Sequence, residues 1–225
     1  MLPILAMVVL GLAAGPGGAG AAPSAIEVSS ITVTIPTYPY AGFLETRHSD
    51  EFNMDYEWLD WSSYNASSPQ PSPQDYEAVV VENPWLKLTF VPELGGRLYG
   101  VKIKATGEEL LYQNPVIKPT HWGPPEQGWW LAVGGMEWCL PVEEHGYEWG
   151  IPWSYSVTTT AGGSTVALWE PLSGDRVRAR IAVYLPADEA AFEITPRLEN
   201  PSGAPVSFKF WANAMLAPGV ANTVG

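Results

Sequence analysis

The chain has 225 residues, with 24 Asp and Glu against 11 Lys and Arg, a formal net charge of −13. At 46% hydrophobic residues it is too apolar for a disordered chain, and its one Cys excludes a disulfide framework or a zinc-thiolate cluster within the chain. The negative balance argues against a nucleic-acid partner, and after the N-terminal stretch no apolar run approaches the roughly 18 residues of a membrane span. An acidic globular domain punctuated by 22 Gly and 22 Pro remains.

Leu2 to Ala14 is apolar, and small residues follow through Ala22. Ala19-Gly20-Ala21 has the small-x-small pattern of a signal-peptidase site, although no Lys or Arg precedes the apolar run. Residues 1–25 are therefore expected to be an export signal cleaved near Ala21, and the protein to be secreted or periplasmic. Residues 26–75 read as one N-terminal strand followed by an irregular Pro/Ser-rich segment. Residues 76–225 read as the β-sandwich proper.

Ser30 to Ile35 alternates Thr with Ile and Val and predicts a strand; Ser67 to Pro73 predicts a surface loop. Strands follow over Tyr76–Glu82, Leu86–Val91 and Leu98–Lys104, with a turn at Ala105-Thr106-Gly107. Ser154–Thr160 and Ser164–Glu170 flank Ala161-Gly162-Gly163, a hairpin signal. In the next strand Val177, Ala179, Ile181, Val183 and Leu185 share one face, with Arg176, Arg178 and Arg180 on the other. Further strands are expected over Ala191–Leu198 and Val206–Ala214. No amphipathic helix is evident after residue 25, so the fold class is all-β, an antiparallel sandwich.

The segment from His121 to Trp153 differs from the rest. It holds two of the three His and six of the 11 Trp, interleaved with Glu, Gly and Pro. A core would have to satisfy every carboxylate buried there, so the density points to a cleft for flat, hydroxyl-rich ligands. His145, with Glu143, Glu144 and Glu148 close in sequence, is a candidate general acid. Glu137, after Gly134-Gly135, is a candidate acid/base or acceptor of sugar hydroxyls. His121, Trp122 and Trp138 are candidate sugar contacts, and Lys209, Trp211 and Asn213 share a strand face that either is solvated or lines a groove. His121, His145 and Glu137 fit no metal-ligand spacing, so neither a metal nor a cofactor is expected. Cys139 reads as a small buried hydrophobe.

Val81–Tyr112 (VENPWLKLTFVPELGGRLYGVKIKATGEELLY) is similar to the opening hairpin of aldose 1-epimerase, or galactose mutarotase-like, domains. Gly134–Trp153 (GGMEWCLPVEEHGYEWGIPW) resembles a block of the hexose-6-phosphate epimerase branch. With Phe208–Met215 (FKFWANAM), both look closer still to an uncharacterised mutarotase-like family whose members are in some cases joined to tetratricopeptide repeats. The resemblance implies a β-supersandwich whose concave sheet holds a sugar, and epimerases in which a His protonates the ring oxygen and a Glu acts as base. His145 matches that His, and Arg97 follows the Gly-Gly of the first block. Val133 stands where the phosphate branch has Arg, and Asn213 is the nearest polar residue where true epimerases carry a second His. The family's catalytic Glu lies later than Gly225, so the domain is read as incomplete at its C-terminus, with unpaired strand edges open to association.

Three functions follow. The first is a saccharide-binding mutarotase-like domain, its partner a mono- or oligosaccharide, with or without epimerase activity. The second is a glycoside-active enzyme pairing Glu137 with Glu143 or Glu144. The third is a structural secreted β-domain whose Trp residues fill the core.

Overall fold

The computed structural model describes residues 8–11, 26–142, 144–171 and 175–218. Fifteen strands account for most of it. In chain order they are β1 (Val8–Gly11), β2 (Glu27–Thr37), β3 (Leu44–Ser49), β4 (Met54–Leu59), β5 (Ser72–Glu82), β6 (Leu86–Val91), β7 (Arg97–Ile103) and β8 (Gln113–Thr120). Then come β9 (Trp130–Gly134), β10 (Met136–Cys139), β11 (Ser154–Thr160), β12 (Gly163–Trp169), β13 (Arg178–Pro186), β14 (Ala191–Glu199) and β15 (Trp211–Ala214). An eight-stranded sheet has the order β15-β10-β7-β6-β5-β2-β8-β9, a five-stranded sheet the order β1-β14-β13-β12-β11, and β3 pairs with β4 alone. Pairing is antiparallel throughout except between β2 and β8, which meet in parallel at Thr37 and Ile117.

The two sheets bury their alternating apolar faces against each other. Leu86, Leu88 and Phe90 of β6 and Val79 and Val81 of β5 share one core with Leu168, Ile181, Val183 and Ile194 of the smaller sheet. Within β13 the expected face is observed, with Ala179, Ile181, Val183 and Leu185 buried and Arg178 and Arg180 outward; Arg176, expected on the outer face, precedes the strand and is buried against Glu148 and Glu170. The hairpin at Ala161-Gly162 closes as expected, with Thr160 opposite Gly163.

The large sheet is also covered on its other side. Tyr76 and Ala78 of β5, Tyr99 of β7, Ile117 of β8 and Leu131 of β9 form a second core with Leu59, Tyr64, Trp129 and Trp149. A sheet buried on both faces needs apolar residues at consecutive positions rather than alternate ones, and β5 supplies Ala78-Val79-Val80-Val81, all buried.

Two expectations change. Residues 41–75, read as irregular, contain a 3-10 turn at Ala41–Phe43, the β3–β4 hairpin and a helix, α1 (Trp61–Ala66), and β5 runs back to Ser72. β2 and β5 pair over eleven positions, down to Thr37 opposite Ser72, so this stretch belongs to the main sheet. The helix starts where the Asp60 carboxylate accepts the Ser62 and Ser63 amides, at 3.0 and 3.2 Å, an N-cap that compensates for its brevity. Of Val206–Ala214 only Trp211–Ala214 pairs as strand, although Val206, Phe208 and Phe210 still alternate against the core. Val8–Gly11, inside the stretch read as an export signal, lies antiparallel on β14; the rest of that stretch is outside the described residues.

Candidate functional site

The site forms where β7, β10 and β15 lie side by side. β9 leaves through Gly134 and Gly135, with φ of 94° and 75°. A Cβ on Gly135 would come within 2.7 Å of the Leu98 carbonyl, so only glycine lets the chain turn this closely onto β7. Antiparallel register then sets Met136 opposite Leu98 and Glu137 directly opposite Asn213. After β10 the chain returns through Glu144, His145 and Gly146, all at positive φ (59°, 77° and 68°), and the Tyr147 amide closes the loop on the Leu140 carbonyl at 3.1 Å. Two non-glycine residues in this region carry backbone strain, and the loop they shape delivers His145 back onto β10.

Five groups converge on the Glu137 carboxylate. Its Oε2 accepts Arg97 Nη2 at 2.9 Å and Trp130 Nε1 at 3.1 Å. Its Oε1 accepts Asn213 Nδ2 at 2.9 Å and the Nδ1–H of His145, with the Cys139 thiol at 3.8 Å. Arg97 spends its other N–H groups on the carbonyls of Leu94, Gly134 and Trp149. Both members of the Arg97–Glu137 pair are sealed from water, at 0% and 1% side-chain exposure.

Burial alone would push the Glu137 pKa up. The Arg97 charge, the His145 hydrogen bond and charge, and the Asn213 amide outweigh it and hold the value at about 2. Glu137 is therefore ionised at any ordinary pH. Burial and the same carboxylate push the Cys139 thiol up, so it stays protonated. Glu137, Cys139 and His145 offer donor atoms within 4.8 Å of one another. The acceptor positions of Glu137 are already filled, however, and Arg97 lies against it, so this trio does not fit a cation.

His145 keeps 16% side-chain exposure. One face stacks on Trp130, with ring centroids 4.2 Å apart and planes at 21°. Trp211 stands 6.0 Å away at 41°. With Nδ1 committed to Glu137, Nε2 is the nitrogen left to act. An open cleft of about 560 Å³ lies over the ring, lined by Glu144, His145, Lys209, Phe210 and Trp211.

The sequence candidates divide. The structure brings His145, Glu137, Arg97, Asn213 and Trp211 together. Arg97 is not exposed to a ligand; it backs Glu137 from behind. Trp138 is in the core, its indole donating to the Gly96 carbonyl at 2.9 Å. His121 stacks on Trp61 at 3.8 Å, and Trp122 is 74% exposed beside it; neither contacts the His145 cluster. The expectation that the indoles of 121–153 form a trough is corrected: Trp129, Trp130, Trp138, Trp149 and Trp153 are buried, because the large sheet must be covered on both faces. Their N–H groups find acceptors, and the buried Glu137 carboxylate is paired at both oxygens, so a buried carboxylate does not keep this segment out of the core. Nor does Glu148 serve His145: it pairs with Arg176, which also binds Glu170 at 3.1 Å. Glu143 lies outside the described residues. Sequence reasoning missed Trp130 as the stacking partner, the residue that follows core Trp129.

Residues 53–223 match the family described as "Domain of unknown function (DUF5107)". The fold is similar to that of a TPR-domain containing protein from Parabacteroides distasonis ATCC 8503, with a TM-score of 0.69 and 21% identity over 88% of this chain and 33% of that one. The chain thus spans about a third of that protein's length, and at this identity the likeness concerns the fold alone. With the family match covering most of its length, the chain belongs to the DUF5107 family.

Proposed function

We propose that this domain holds a saccharide in the cleft over His145, as galactose mutarotase-like domains do, and that the imidazole moves a proton on the bound sugar. The observation that carries this is the Glu137–His145 pair, backed by a buried arginine. An ionised carboxylate on Nδ1 fixes the ring's tautomer and orientation and leaves Nε2 for the cleft. That is the arrangement of a proton-transfer histidine. Trp211, 40% exposed, offers an indole face to the C–H side of a pyranose.

In this reading the imidazolium gives its Nε2 proton to the ring oxygen while a carboxylate takes the anomeric hydroxyl proton. The bond from C1 to the ring oxygen breaks, leaving an aldehyde and a free hydroxyl. Rotation about C1–C2 and the reverse transfers close the ring as the other anomer, and His145 regains its proton. Among the described residues, Glu144 is the carboxylate lining the cleft. Glu137 is a positioning residue. Its pKa of about 2 excludes it as the proton-donating acid of a paired-carboxylate glycosidase, and its burial behind His145 keeps it from acting as the nucleophile. Export, supported by the Leu2–Ala22 sequence, belongs to the same proposal.

The test is a titration with monosaccharides, followed by Trp fluorescence, of wild type and His145→Gln. A saturable response that the variant loses supports the proposal. No response from folded wild type rejects it.

A further inference from the structure

A second groove, of about 420 Å³, adjoins the His145 cleft. The two share Lys209, whose amide donates to the Pro141 carbonyl at 2.7 Å. Phe52, Val142, Tyr147 and Phe208 supply its apolar walls, and Glu126 its best-placed polar group. The Glu126 side chain is held although it is exposed: Oε2 accepts the Tyr147 hydroxyl at 2.6 Å and the Ser49 hydroxyl at 2.8 Å. No other described side chain bonds Oε1, so that oxygen is available to an incoming donor. Tyr147 is itself clamped, stacked on Tyr56 at 5.0 Å and meeting Phe52 edge-on at 6.0 Å.

Each space by itself falls in the range of about 300–1,000 Å³ typical of a small-molecule site. A fixed acceptor beside aromatic walls is a combination that suits a ring carrying hydroxyls on its edge and C–H bonds on its face. Tyr147 lies two residues from His145, so one loop furnishes the proton-moving residue of the first space and a wall of the second. We infer that the groove is a second sugar subsite and that the ligand is an oligosaccharide, one ring over His145 and the next beside Glu126 and Phe52. This rests on the saccharide reading of the His145 cleft.

Calorimetry with glucose, galactose and mannose, and with maltose, cellobiose, lactose and mannobiose, tests it on wild type, Glu126→Gln and Phe52→Ala. Thermal melts establish that each variant is folded. The expected result is a disaccharide that binds about tenfold or more tighter than its component monosaccharides. Both variants should lose that gain and keep monosaccharide affinity. Monosaccharide binding with no disaccharide gain, or a gain that neither variant reduces, overturns the second subsite and leaves the His145 proposal standing. No sugar of either length binding to folded wild type overturns both.

Discussion

Glu137 and His145, eight residues apart, face each other because a tight glycine turn and a left-handed loop fold β10's two ends onto one point, and Arg97 neutralises the carboxylate from the opposite side. Removing the Glu137 charge strands that arginine in the interior. Glu137→Leu should cost about 3–5 kcal/mol of folding stability. Adding Arg97→Met should recover part of the loss, because no unpaired ion then remains buried. Urea unfolding of the two single variants and the double variant measures this; equal or additive losses would contradict it.

Acid should weaken the fold in a particular window. Glu137 titrates at about 2 in the folded protein against 4.5 ordinarily. A depressed carboxylate stabilises the folded state above its unfolded pKa. That contribution, about 3 kcal/mol, fades as pH falls from about 4.5 toward 2. Stability measured across that range should fall more steeply for wild type than for the Arg97→Met/Glu137→Leu pair.

Trp138 and Trp130 should separate function from packing. Trp138→Ala opens a core cavity and should cost about 3–5 kcal/mol, while the folded fraction binds saccharide as wild type does. Trp130→Phe keeps a ring under His145 but loses the Nε1 bond to Glu137, so it should reduce saccharide affinity, read by Trp fluorescence, more than it lowers stability.

Gly146 should tolerate nothing larger. Its φ is 68°, and a Cβ there would lie 2.3 Å from the Leu140 carbonyl. Gly146→Ala should shift the His145 loop and reduce saccharide affinity, while the two main sheets, read by far-ultraviolet circular dichroism, stay intact.

Much of this fold is legible in the residues. The Val177–Leu185 alternation, the Gly-Gly hairpin and the Pro-terminated strands give an all-β sandwich. The double coverage of the large sheet was also written there, in the unbroken Ala78–Val81 run, and it explains why five indoles of one segment became core. Helix α1 was hidden because six residues are too few to show a 3.6-residue period; the Asp60-Trp61-Ser62-Ser63 cap was its one signal. The convergence of Arg97, Glu137 and Asn213 depends on strand order, which periodicity does not encode. Trp130 was missed because a Trp-Trp pair in a strand reads alike from either face.

The most direct measurement of the central claim follows the imidazole nitrogens by NMR during a saccharide titration. The chain has three histidines, His48, His121 and His145, so the resonances can be told apart by substitution. The account predicts that Nε2 of His145 shifts saturably while His48 and His121 stay still. A bound sugar that leaves His145 unmoved, or that shifts His121 beside Trp61 instead, would contradict it.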